Sequence, residues 1–224
     1  MENKNLKYFE VNKDTWNKKV SVHIKSDFYD VVGFKKGKTS LNKYELEELA
    51  EVKGKSLLHL QCHFGQDTLS WSRLGAKCTG IDISNEGIKN AKLLNEELDL
   101  DATFIESNLY DVPKKVKGKF DIVFTSYGVV GWLPDLKTWG EIIAEKLKSG
   151  GVFYLIEFHP IVWMFDYLQT PPKLLYPYQN SDVIYEESPY NILPEMVETG
   201  DGMFVQKESE KLFPLIYSIK ATKK

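Results

Sequence analysis

The chain is predicted to be an α/β protein with a doubly wound, mostly parallel sheet and an antiparallel C-terminal strand. Three features of the sequence carry this expectation. The first is Leu57-Leu58-His59-Leu60-Gln61-Cys62-His63-Phe64-Gly65, where an apolar run stops in a tight polar loop. A helical pattern, Gln66-Asp67-Thr68-Leu69-Ser70-Trp71, begins at once. The second is a further apolar run that ends in an acid, Thr79-Gly80-Ile81-Asp82. The third is the alternation of such runs with helical patterns across residues 41–158. Near-continuous apolar strands separated by helices describe a parallel sheet covered on both faces.

Taken in order, residues 1–40 are aromatic-rich and weakly periodic (Tyr8, Phe9, Trp16, Phe28, Tyr29, Phe34) and read as an irregular N-terminal cap. Leu41 to Glu51 is a short amphipathic helix closed by Gly54. Ser56 to Gln61 is a strand, Gln66 to Leu74 a helix ended by Gly75, and Lys77 to Asp82 a strand. Ser84 can cap the next helix, which runs to about Leu98, with Glu86 complementing its dipole. Ala102 to Glu106 and Phe120 to Thr125 are the third and fourth strands. Asp135 caps a helix to Lys148, Ser149-Gly150-Gly151 breaks it, and Val152 to Phe158 is the fifth strand. Seven of the nine prolines follow residue 159, so 159–210 reads as a loop-rich substrate region. Lys211 to Ala221 is a terminal strand, and a short strand around Gly202 to Lys207 would form a hairpin with it. The domain proper is thus 41–224, with its core in 41–158.

The bulk numbers narrow the function. A length of 224 residues suits one domain with a small appendage. The net charge of −3 comes with no basic stripe, and Lys35-Lys36-Gly37-Lys38 and Lys223-Lys224 read as solvated surface, which disfavours nucleic acid as partner. No apolar run approaches the ~20 residues of a membrane span. The polar start Met1-Glu2-Asn3-Lys4-Asn5 is unlike a secretory signal, and two cysteines make no disulfide framework. A cytoplasmic monomer or homodimer is expected.

A strand–loop–helix unit followed by a strand tipped with a carboxylate is how a parallel sheet holds a nucleoside. The loop and helix N-terminus face the polar tail, while the acid, here Asp82, accepts from two ribose hydroxyls. A nicotinamide enzyme would offer Gly-x-Gly-x-x-Gly for close approach to a diphosphate. The loop here, Gln61 to Gly65, has one glycine and suits a smaller tail such as an amino acid. Together these point to S-adenosylmethionine.

At this point the sequence resembles the class I S-adenosylmethionine-dependent methyltransferases, whose fold is Rossmann-like, over roughly residues 41–158. Leu57 to Gly65 looks like their first motif and Gly80-Ile81-Asp82-Ile83-Ser84 like their second. Phe104-Ile105-Glu106-Ser107-Asn108-Leu109 resembles the adenine-binding turn, and Phe120 to Tyr127 the fourth-strand motif. Leu147-Lys148-Ser149-Gly150-Gly151-Val152-Phe153 resembles the turn into the fifth strand. The sequence departs from the family in several places. The family usually has an acid where His59 stands, organising the loop and the cofactor's ammonium; a neutral histidine would do so through water. It has a second glycine near Cys62 or His63, and an Asp where Asn108 stands. It also places another helix and strand before the terminal one; their lack here implies either a deletion or residues missing between Glu187 and Ser188.

The resemblance implies site roles. Asp82 would hold the ribose, Ile83 pack on the adenine, and Asn108 and Leu109 meet its edge. His59, Gln61, Cys62 and Gly65 would surround the methionine part. Ser126 and Tyr127, ending the fourth strand, would sit where methyl transfer occurs. His159, at the end of the fifth strand, and His23, in the N-terminal cover, are candidate bases beside Tyr127. A zinc reading of His59, Cys62 and His63 lacks a second half, so no metal is expected. Because Thr125-Ser126-Tyr127-Gly128 is not an Asn-Pro-Pro-Tyr type run, a small-molecule acceptor is expected rather than nucleic acid. The rival readings are a nicotinamide oxidoreductase, a non-catalytic S-adenosylmethionine-binding protein and a protein methyltransferase.

Overall fold

The structure, a computed structural model, describes residues 3–166, 173–179, 196–198, 204–206 and 216–224. In chain order its elements are α1 (Asn3–His23), α2 (Val31–Lys35), α3 (Lys43–Glu48), β1 (Ser56–Leu60), α4 (Gln66–Arg73), β2 (Lys77–Asp82), α5 (Asn85–Glu97) and β3 (Thr103–Glu106). There follow α6 (Val112–Lys115), β4 (Phe120–Thr125), α7 (Leu136–Lys146), β5 (Leu147–Phe158), β6 (Phe165–Asp166), β7 (Lys173–Leu174), β8 (Met196–Glu198), β9 (Phe204–Gln206) and β10 (Ile216–Thr222).

The main sheet runs in the order β10-β5-β4-β1-β2-β3. β1 lies at its centre, parallel to β2 on one side and to β4 on the other. The chain therefore changes its direction of travel across the sheet between β1 and β4, and the crevice at such a switch point is where α/β sheets bind ligands. β1 is apolar on both faces because both are covered. Leu58 and Leu60 pack with Ile81, Val123 and the α7 residues Ile142 and Ile143. Leu57 faces the other layer with Trp71, Phe124 and Tyr154. β10 closes the sheet antiparallel to β5, from Ile216↔Phe158 to Thr222↔Val152. The mostly parallel sheet with its antiparallel last strand is the predicted fold class.

Local signals set the element ends. The Ser84 side chain accepts from the Gly87 N–H at 2.9 Å, and that of Asp135 from the Thr138 N–H at 3.0 Å, so both predicted caps form. Three expectations need correction. The N-terminal segment is not irregular: α1 is a helix from Asn3 to His23. Its period is hidden because polar residues share its packed side with Phe9, Trp16 and Val20. Asn12 donates to the Trp132 carbonyl at 3.2 Å and Asn17 to Asn85 at 2.9 Å. Second, Ser149-Gly150-Gly151 does not separate helix from strand. β5 already starts at Leu147, and the glycines ride a register shift opposite Phe120 and Ile122, with Gly150 at φ 76°. Third, β9 pairs with β8, Met196↔Gln206 to Glu198↔Phe204, rather than with the terminal strand. The free edge of β5 gives β10 a longer ladder than a hairpin would. The junction of Glu187 with Ser188 lies outside the described residues. Among the described residues, no helix is long and apolar enough to cross a membrane.

Candidate active site

The loop from β1 to α4 has an unusual backbone. Gln61 and His63 take φ of 59° and 51°, and Gly65 takes 84°; left-handed values that glycine adopts freely and side-chain-bearing residues at a cost. The chain thus keeps a glycine-loop shape with Gln and His in it. The loop is tied down by the Cys62 N–H to the Ile81 carbonyl at 2.8 Å and the Gly65 N–H to the Cys62 carbonyl at 2.9 Å. Gly65 is required for a second reason: a Cβ there would lie 2.7 Å from the Phe104 ring and 2.9 Å from Ala91 Cβ.

Asp82 ends β2 facing this loop. Its Oδ2 accepts from the His63 N–H and its Oδ1 from the Ser84 N–H, each at 2.8 Å. Burial pushes its carboxyl up to about 6 while the backbone amides pull the other way, so near neutral pH it is chiefly ionised. Each oxygen keeps lone-pair capacity for a hydroxyl donor. Ile83 is half-buried and packs against the cluster on the α7 side. Asn108 accepts from the Tyr110 N–H at 3.1 Å and so caps the short turn in which Leu109 is buried. The Ser107 N–H bonds the Asp82 carbonyl at 2.8 Å, bringing this turn beside the acid.

On the β4 side, His59 is fully enclosed. Its Nδ1 meets Thr68 Oγ1 at 2.8 Å and its Nε2 meets Ser126 Oγ at 3.3 Å. Burial lowers its pKa to about 3, so the ring is neutral. The Tyr127 hydroxyl accepts from Asn42 Nδ2 at 3.0 Å, and burial beside Glu45 and Asp67 holds the phenol protonated. Gln61 Nε2 donates to the Val129 carbonyl at 3.3 Å, joining the two loops. Beneath them the buried Glu157 carboxylate accepts from the N–H groups of Val129 at 2.8 Å, Val130 at 3.0 Å and Phe158 at 2.7 Å, and also from Gly128.

α1 lies over both loops. Asn17 accepts from the Ser84 hydroxyl at 2.7 Å, and the Trp16 ring packs 5.2 Å from His63 and 5.4 Å from Trp132. His23 Nδ1 stands 3.0 Å from His63 Nε2. His159 is placed otherwise: its Nδ1 accepts from the Ile161 N–H at 3.3 Å, and its ring meets Tyr217 edge-on at 6.0 Å. Among the described residues, no three His, Cys, Asp or Glu side chains gather as a metal site.

The residues present fit an aminoacyl nucleoside. A buried acid is held at the strand tip, and Gln61 Oε1 and His63 Nδ1 are buried without a hydrogen-bond partner. Sequence reasoning missed Asn17, Asp67, Glu45 and Glu157. Only Asp67 carried a local signal, as an acid in the first turn of α4.

Comparison with known proteins agrees with this geometry. Residues 58–155 match the family model described as "Methyltransferase domain". The ubiquinone biosynthesis O-methyltransferase of Xanthomonas euvesicatoria is 30% identical over 131 residues, covering 57% of this chain and 54% of that protein. That of Escherichia coli O157:H7 (strain EC4115) is 28% identical over 136 residues, covering 58% and 56%. The chain thus spans about half the length of the curated relatives it matches. A solved S-adenosylmethionine-dependent methyltransferase from Clostridium acetobutylicum superposes with TM-score 0.46 at 18% identity, over 62% of this chain and 54% of that one, a likeness too loose to bear on fold or function. Over residues 58–155 the chain is thus similar to methyltransferase domains.

Proposed function

We propose that this chain is an enzyme that transfers a methyl group from S-adenosylmethionine to a small-molecule acceptor. The observation that carries the reading is Asp82 at the tip of β2, both oxygens oriented by the His63 and Ser84 amides beside the loop of residues 61–65. When bound, the cofactor supplies an electrophilic methyl on a sulfonium, displaced in line; the rate then depends chiefly on alignment at ~3–3.5 Å and on exclusion of water. Asp82 grips the ribose diol. Leu109 gives the adenine an apolar wall, and Asn108 retains acceptor capacity for its amino group. Gln61, Cys62 and Gly65 surround the aminoacyl tail.

Ser126 and Tyr127 orient the acceptor. Tyr127, held protonated, does so by donating a hydrogen bond rather than by taking a proton. His23 and His159 are the candidate bases, needed only for a hydroxyl or protonated-amine acceptor. Segment 1–40, with Trp16 and His23, serves as a cover that excludes water; most of the loop-rich substrate region 159–210 lies outside the described residues. The enzyme works in the cytoplasm as a monomer or homodimer, where the free thiols of Cys62 and Cys78 remain reduced. Calorimetry with S-adenosylhomocysteine tests the reading: the unaltered chain binds it and Asp82→Ala binds it at least ~10-fold more weakly, the loss expected for a charged hydrogen-bond acceptor. Absent binding, or equal affinity in both proteins, would remove the assignment.

A further inference from the structure

The two loops that leave the carboxyl ends of β4 and β5 share a composition that the reading above does not use. Residues 126–134 and 158–165 contain no Lys, Arg, Asp or Glu, although 27% of the chain is charged, which would place about five such residues among these seventeen. Charged side chains are ordinary on exposed loops, so their absence from both is informative. In their place stand rings in a row. Tyr127 lies 5.6 Å from Phe158, and Phe158 meets Trp163 edge-on at 5.9 Å. Tyr127 and Phe158 are half-buried, and Trp163 is 41% exposed. Glycines leave room beside the row. A Cβ on Gly128 would meet nothing nearer than the Phe158 ring, at 3.7 Å, and one on Gly131 would meet nothing within 4 Å.

The charges that border the row are committed or enclosed. Glu157 gives its carboxylate to the amides of Gly128, Val129, Val130 and Phe158, and so ties the two loops together. Glu45, near the hydroxyl end of Tyr127, is buried, and that hydroxyl accepts from Asn42 at 3.0 Å. His159 Nδ1 accepts from the Ile161 N–H. An anionic molecule in this place would find no Lys or Arg in either loop and would meet the field of two acids, so its charge would be buried unpaired. A planar uncharged ring gains instead from offset and edge-on contact with such a row. The row begins beside Ser126, where the proposed function puts methyl transfer. We infer that the methyl acceptor is an uncharged aromatic molecule, seated on Tyr127, Phe158 and Trp163 between the loops that follow β4 and β5.

Such a seat rests on the reading of the site as an S-adenosylmethionine crevice, and the test separates the two. On the chain saturated with S-adenosylhomocysteine, calorimetry at neutral pH compares three probes. They are 2-naphthol, which is uncharged; 2-naphthoate, which puts a negative charge on the same rings; and decahydro-2-naphthol, which keeps the hydroxyl but has no π faces. 2-Naphthol is expected to bind at least ~10-fold more tightly than 2-naphthoate, because the charge finds no partner. It should also bind at least ~3-fold more tightly than the saturated alcohol, the gain from ring-to-ring contact. Trp163→Ala should weaken 2-naphthol at least ~5-fold and leave S-adenosylhomocysteine within about twofold, which also shows that the variant is folded. Equal binding of 2-naphthol and 2-naphthoate, equal binding of the two alcohols, no loss in Trp163→Ala, or no binding of any probe would each overturn the aromatic seat while leaving the crevice intact. Failure of the unaltered chain to bind S-adenosylhomocysteine would overturn both.

Discussion

His23 Nδ1 lies 3.0 Å from His63 Nε2, so one imidazole donates its N–H to the other and the end of α1 is fastened to the loop leaving β1. Burial holds both rings neutral. The pKa of His23 falls to about 4, helped by Lys19, and that of His63 falls well below the ordinary 6.5. A detached imidazole takes up its proton first, so the contact is at full strength above the ordinary value and weakens as the pH falls from 6.5 towards about 4. The groups facing the pair are Lys19, Trp16 and Tyr29. Tryptophan emission, assigned through Trp16→Phe, is expected to shift across that window. His23→Gln, which never charges, should flatten the change. Emission constant over the window in the unaltered chain would contradict this.

Glu45 titrates in the opposite sense. Burial raises its pKa from 4.5 to about 7, so the folded state binds a proton that the unfolded state has released, and that contribution is lost as the pH rises through 7. Glu45→Gln is therefore expected to stabilise the chain at pH 8, by up to about 3 kcal/mol at ~1.4 kcal/mol for each tenfold change in proton affinity. Below pH 4.5 the two proteins should unfold alike. Urea unfolding across the pH range reads this directly.

Gly65→Ala forces a Cβ to within 2.7 Å of the Phe104 ring at a φ of 84°. A left-handed alanine costs ~1–2 kcal/mol and overpacking ~1–3 kcal/mol more, so the loss should be about 2–5 kcal/mol in chemical denaturation. Adding Phe104→Leu should recover the crowding part and leave the backbone part.

Glu157→Gln leaves fewer acceptor lone pairs for the amides of Gly128, Val129, Val130 and Phe158. Hydrogen bonds to charged groups contribute ~1.5–3 kcal/mol, so hydrogen exchange at residues 128–130 should quicken by at least about tenfold. Exchange in β1 should not change. Equal acceleration in both places would mean a global loss of stability instead.

Much of the sheet was legible because its signals are local. The apolar runs of β1, β2 and β4, the caps Ser84 and Asp135, and the acid at the tip of β2 each depend on neighbours within a few residues. The cover was not legible. The partners of Asn12 and Asn17 on α1 are Trp132 and the Ser84–Glu86 turn, far away in sequence, so nothing nearby shows why polar residues should face inward. Asp67, Glu45 and Glu157 are opaque for the same reason. An acid at a helix start, in an amphipathic helix or at a strand end looks ordinary until the fold brings distant hydroxyls, amides or a second acid against it.

Where Gln61 and His63 hold their left-handed turns, each carries a conformational burden of ~1–2 kcal/mol that glycine would not. Replacing His63 with glycine would lift that burden but delete the imidazole on which His23 is fastened. The tension in this bend and the docking of the N-terminal helix are therefore coupled. A chain that relaxed the bend would also unlatch its own roof.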